Sequence, residues 1–237
     1  AGRRLLEALR AAALAYEWSG GILDPRVIGA LEGFGYRGSL PEGDVPSTSA
    51  PVPLEPVDMR TWVDAKHGRI KLPLGVRLDL AGVGKALGIG WAARQLAGHA
   101  GFLVDVGGDI VALGSDERGE PWRVAVDHGS VVGEFAGNFL AVATSTTTRR
   151  TWNAGGLDAH HLIDPRTGAP SQSNLLYATV AAPTILEADL AAKLLIIDGK
   201  KAAERLDPSY QIVVTDRDGR TEMLETQMAG SATEIGQ

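Results

Sequence analysis

The 237 residues include no cysteine. Disulfides, thiolate metal sites and a cysteine nucleophile are therefore excluded. Aromatic residues are sparse at 5%. No apolar run approaches the roughly 20 residues that cross a bilayer, so no transmembrane segment is expected. No stripe of lysine or arginine stands out, and the formal net charge is −6. Nucleic-acid binding rests largely on neutralising phosphates with cationic side chains, so that role is excluded as well. No internal repeat or long low-complexity tract is present. No secretory signal is visible, and the chain opens Ala-Gly rather than Met, as in a mature or trimmed form.

What is present is an ordinary globular composition, 44% hydrophobic and 22% charged, with 30 glycines. A chain of this length suits one domain, with room for two lobes. Leu5, Leu6, Leu9, Ala12 and Ala13 recur at helical spacing and predict a helix over 3–18, ended by Ser19-Gly20-Gly21. Asp24-Pro25 reads as an N-cap followed by proline at the first helical position, with Val27, Ile28 and Leu31 as the apolar face. Residues 38–56 hold five of the twelve prolines and read as a loop or linker. A strand is expected over 69–74 and a helix over 82–96. Short strands are expected over 102–106, 110–113, 122–126 and 140–144. Thr184-Ile185-Leu186-Glu187 fits a capping box, so a helix should run over about 185–197. Segments 210–214 and 221–224 flank Asp218-Gly219, a hairpin signal. The tail over 228–237 reads as frayed. Clustered strands without regular βαβ alternation predict an α+β fold, with mixed, mostly antiparallel sheets flanked by helices.

Five segments carry residues suited to chemistry. Asp79 to Lys85 is a glycine-rich turn into a helix, able to present backbone N–H groups to a phosphate or to serve only as a tight turn. It lacks the third glycine of the dinucleotide fingerprint and the closing hydroxyl of a P-loop. Asp105-Val106-Gly107-Gly108-Asp109 brackets two glycines with carboxylates and reads as acid/base chemistry or as a hairpin turn with acidic flanks. Ala143 to Arg150 sets hydroxyls and two guanidiniums after a strand, an anion cradle or a solvated loop. His160 to Gly168 offers a histidine beside an Asp-Pro turn, without the spacing of a zinc site. Asp189 stands in an apolar helix with Lys193 one turn on. That pattern reads as an i,i+4 ion pair or as a carboxylate aimed at a hard cation.

Taken in order, these segments resemble the ApbE family of FAD:protein FMN transferases. The family pattern runs Asp-Leu-Gly-Gly-x-Ala-Lys-Gly, then Asn-x-Gly-Gly-Asp, Ala-Thr-Ser, His-Ile-Ile-Asp-Pro-x-Thr-Gly, and Ala-Pro-Thr-x-x-x-Ala-Asp. Here the same order is met by 79–85, 105–109, 143–145, 161–168 and 182–189. Ser19 to Pro25 is similar to a Ser-Gly-Gly-x-Phe-Asp-Pro stretch further upstream. The resemblance implies an enzyme that binds FAD, places Mg²⁺ on its pyrophosphate, transfers FMN to a Thr or Ser hydroxyl of a target protein, and releases AMP. Some members release FMN to water instead, and a flavin-binding module without catalysis is the reading from a different class. By position, Asp79 and Lys85 would contact FAD, with Ile22, Leu23 and Asp24 lining the flavin cleft and Leu162 beside the ligand. His161 would activate the attacking hydroxyl. The Gly82 carbonyl and the Asp189 carboxylate would hold the metal.

The departures from the pattern are specific. Lys193 stands where the family has a threonine metal ligand, and a protonated ammonium cannot ligate a cation. It could fill the metal's place, contacting phosphate or pairing with Asp189. Leu87 and Asp105 replace a tyrosine and an asparagine. The family's N-terminal segment, with aromatic and methionine contacts to the flavin ring, has no counterpart, so either it was removed or flavin binding is altered. Many members are exported bacterial lipoproteins, but no lipid-bearing cysteine exists here, which leaves cytoplasmic and extracytoplasmic residence both open.

Overall fold

The computed structural model describes residues 2–36, 44–47, 50–64 and 66–226. The tail expected over 228–237, and residues 38–43, 48 and 49 of the expected loop, lie outside the described residues. Among the described residues there are four α-helices: α1 (Arg3–Trp18), α2 (Ile28–Gly33), α3 (Ala81–Leu96) and α4 (Ile185–Asp198). Contacts gather the described residues into two compact units. The first runs up to Val83 and includes Thr147–Gln172; the second holds Gly84–Thr146 and the described residues from Ser173 on. The class is α+β with almost wholly antiparallel pairing.

The second unit is built on a six-stranded sheet of β1 (Gly101–Val106), β2 (Asp109–Gly114), β3 (Phe139–Thr146), β4 (Leu175–Ala181), β5 (Gln211–Asp216) and β6 (Thr221–Leu224). Spatial order equals chain order, and every neighbouring pair is antiparallel. Alternate side chains leave opposite faces of a strand. One face sends Val111, Ala141 and Ala143 against Ala86 and Ile89 of α3 and Ile185 and Ala188 of α4. The other sends Ala112, Leu140, Val142 and Val213 against a hairpin of Trp122–Asp127 and Val131–Gly137, through Val124, Val126 and Phe135. Thr184 caps α4 by accepting the Glu187 N–H at 3.2 Å, as its capping box foretells. The helix is then apolar on all sides, with Leu190, Leu194, Leu195 and Ile196 at most 2% exposed. Each such burial stabilises the fold by about 1.5–3 kcal/mol. An all-round apolar helix is a core helix, and α4 is one.

In the first unit, Asp44–Val45 pairs in parallel with the strand Thr151–Ala154, which pairs antiparallel with Leu157–His160. Trp152, Ala154, Ala159 and Ile163 pack with Leu31 and Phe34 around α2. The end of the expected loop is anchored: Leu54 N–H donates to Pro165 O at 2.8 Å. Gly168, at φ +69°, approaches Val52 so closely that a Cβ there would stand 2.2 Å from its carbonyl oxygen. Two expectations are corrected. Helix α2 begins at Ile28, because Asp24 caps a turn instead: its carboxylate takes the Arg26 N–H and guanidinium. The strand expected over 69–74 is only Arg69–Ile70, paired with Val63–Asp64.

A buried polar network crosses the second unit. The two ring nitrogens of His128 meet Thr215 Oγ1 at 2.6 Å and Thr179 Oγ1 at 2.8 Å, and the ring stacks on Tyr177. Burial holds this imidazole below its ordinary value of 6.5. Its folded value lies below its unfolded value, so below about pH 6.5 the unfolded chain binds the extra proton and stability falls as pH falls. Urea unfolding followed from about pH 7.5 to about pH 5 should show that decline. A His128→Gln variant should flatten it; an unchanged slope in the variant would rule out this origin.

Candidate functional site

The tight turn between β1 and β2 is made by Gly107 and Gly108, both at positive φ. That conformation is open to glycine at little cost and matches the twist of a two-residue hairpin. Asp105 Oδ1 accepts the Gly108 N–H at 2.8 Å, so the first carboxylate shapes the turn. The second, Asp109, opens β2 and is fully buried. Thr144 of β3 donates its N–H to Asp109 Oδ1 at 3.3 Å. Lys85, in the first turns of α3, places its ammonium 2.6 Å from Asp109 Oδ2.

On α4, Asp189 and Lys193 lie four residues apart on one face and form an ion pair. Asp189 is 2% exposed, and its Oδ2 is buried without a hydrogen-bond partner. Burial first, and the charge of Asp189 second, push the Asp109 carboxyl above its ordinary value, against Lys85 and the Thr144 N–H. The two carboxylates thus share one field, and two lysines balance them. Within the second unit, Lys85, Thr144 and Asp189, far apart in sequence, gather around Asp109. Sequence reasoning read Asp105 and Asp109 as acid/base or ligand-contact residues, or as the acidic flanks of a hairpin turn. The hairpin turn forms, and its second carboxylate lies in the charged cluster. The i,i+4 reading of Asp189 and Lys193 also holds.

The remaining expected site residues lie in the first unit. Asp79 is half-buried, donates its N–H to Pro25 O at 2.7 Å and accepts the Ala81 N–H at the start of α3. It therefore ties the 22–25 turn to the helix entrance, with Gly82 in the first turn of α3. Ile22 and Asp24 are buried, Leu23 is half-buried, and the Asp24 carboxylate is taken up by Arg26. Gly20 and Gly21 border an open groove of about 400 Å³, with Tyr16, Val57 and Arg60. His161 is half-buried at the bend after Leu157–His160, and Leu162 is buried. Their neighbour His160, missed as a positioning group, is bonded across that bend. Its Nε2 meets Ser171 O at 3.1 Å, and its Nδ1 accepts the Leu162 N–H at 3.3 Å. Ser171 N–H closes the clamp on Leu162 O at 2.9 Å. The adjacent HH dipeptide was the available signal.

The donor set does not fit a divalent cation as it stands. Lys193 holds one oxygen of Asp189. Among the described residues no group of three His, Cys, Asp or Glu side chains is placed to hold a metal ion. Among the same residues, no helix is long and apolar enough to cross a membrane.

Comparison with known proteins follows the same lines. The ApbE family profile matches residues 1–213. The FAD:protein FMN transferase of Haemophilus influenzae is 32% identical over 154 residues, covering 60% of this chain and 44% of that protein. The transferase of Salmonella typhimurium is 37% identical over 139 residues, 54% of this chain and 39% of that protein. The chain thus spans less than half the length of these curated relatives. Among solved structures, the ApbE protein of Thermotoga maritima superposes with a TM-score of 0.77 at 22% identity, covering 96% of this chain and 77% of that one. The flavin transferase ApbE of Vibrio cholerae gives 0.65 at 21%, covering 95% and 75%. These two likenesses establish the shared fold.

Removing Lys85 strands the buried Asp109 carboxylate, and removing Asp109 takes away the partner of Lys85. Lys85→Met and Asp109→Asn should each destabilise the chain, and the double variant should lose less than their sum. Lys85 is 38% exposed, so screening keeps the coupling small, on the order of 1 kcal/mol. Urea unfolding of all four proteins measures it, and strict additivity would show that the pair is not an interaction.

Proposed function

The chain belongs to the ApbE family, and from that premise we propose that it is an FAD:protein FMN transferase. The observation that carries the reading is the gathering of Lys85, Thr144 and Asp189 around Asp109 within the second unit, in a cluster holding two ammoniums. Phosphoryl transfer depends chiefly on positioning and on neutralising charge, which such a cluster supplies.

In this reading Asp79 and Lys85 contact FAD, as Ile22, Leu23, Asp24 and Leu162 do from their own segments. His161 accepts the proton of a Thr or Ser hydroxyl on the target protein. The freed oxygen attacks the phosphorus on the riboflavin side of the pyrophosphate. One P–O bond forms to the acceptor, the bond to the bridging oxygen breaks, and AMP leaves with that oxygen. His161 then returns its proton to the leaving phosphate. A neutral imidazole is suited to this near pH 7. The His160–Leu162–Ser171 clamp supports the role by fixing the backbone on either side of His161. No step is assigned to Mg²⁺, because Lys193 already holds Asp189. That same pair favours the second reading, a module that binds flavin without transferring it.

With FAD and an acceptor protein, the chain should give one equivalent of AMP per covalently bound FMN, read by chromatography and intact mass. His161→Ala should slow turnover by about 100- to 10,000-fold, as loss of a general base does. FAD bound tightly without any AMP would establish the binding module instead.

A further inference from the structure

The charges around Asp109 and Asp189 already balance. Lys85 and Lys193 supply two positive charges, and Asp109 and Asp189 two negative ones. Lys193 is no loose surface lysine, since its side chain is 16% exposed and ends on a carboxylate that is 3% exposed. A protonated ammonium has no lone pair to give a metal. Mg²⁺ needs oxygen ligands in near-octahedral order and close approach to a carboxylate. Here it would meet Asp189 with an ammonium already on Oδ1, in surroundings that screen like charges poorly. The buried, unpartnered Asp189 Oδ2 suits a hydrogen-bond donor, such as water or a hydroxyl.

We propose that the Lys193 ammonium is the resident cation of the Asp189 site, so that this chain takes up no divalent metal there and meets a diphosphate with two lysines instead. The inference deepens the transferase reading and rests on it for one of its two readouts. It accounts for lysine at this position in electrostatic terms. A one-residue exchange moves the neutralising charge from a bound ion onto the helix itself. The site then needs no metal supply and gains no affinity from one.

The test is a titration of Mn²⁺ into the whole chain, with free Mn²⁺ followed by its paramagnetic resonance signal, and thermal melting with and without Mg²⁺. The wild-type chain should bind no Mn²⁺ through Asp189 and melt at the same temperature in both buffers. Lys193→Thr should gain one Mn²⁺ site, lost again when Asp189→Asn is added. A wild-type site that Asp189→Asn abolishes would overturn the inference, as would a folded Lys193→Thr protein that gains none. Should Lys193→Thr fail to fold, the wild-type titration decides alone. As the second readout, AMP release from FAD should be unchanged by EDTA, and its loss in EDTA would overturn the inference. A chain releasing no AMP in any buffer would overturn the transferase reading only, leaving the Mn²⁺ titration to decide this one.

Discussion

Two carboxylates buried within each other's field are the constraint on which the second unit turns. Withdrawing a charge from water is expensive, and attraction to a partner offsets this only when the geometry is good. Asp109 and Asp189 therefore require Lys85 and Lys193, and those requirements fix their surroundings. Lys85 must rise from the start of α3, which sets how that helix meets β2. Asp109 must be the first residue after the turn, and Gly107 and Gly108 let the chain reverse in two residues to put it there. Lys193 must stand one turn beyond Asp189, which orients that side of α4.

The first unit obeys a backbone constraint instead. The Pro165–Gly168 turn is pressed against Val52 and bonded to Leu54, and His160 clasps Leu162 and Ser171. His161 is thus carried by a segment fixed at both ends. A proton acceptor gains most when its position is set by its neighbours rather than by its own side chain. Asp79 plays the matching part at the entrance to α3, tying that entrance to the turn at Pro25.

Much of this was legible beforehand, for definite reasons. Helices α1, α3 and α4 announce themselves by periodicity, a capping box and terminal glycines. The strands around Gly107-Gly108 and Asp218-Gly219 are marked by their turns. The strand Leu175–Ala181 escaped notice because both its faces are covered, so its apolar residues do not alternate. Thr151–Ala154 and Leu157–His160 are short and mixed in polarity, and their pairing comes from Gly155 and Gly156 at positive φ. Asp24 misled because an N-cap and a turn carboxylate look alike until the Arg26 guanidinium is placed. The blocks 79–85, 105–109, 143–145 and 182–189 were readable in order. That Lys85, Thr144 and Asp189 gather around Asp109 was not, because their meeting is a property of the sheet and of the helices on its face.

The central claim is that a lysine, not a metal ion, neutralises Asp189. Crystals grown with FAD and Mn²⁺, measured at the manganese absorption edge, test it most directly. The account requires no anomalous peak within ligand distance of Asp189, with the Lys193 ammonium still on its carboxylate. A manganese peak coordinated by Asp189, with Lys193 turned away, would contradict it.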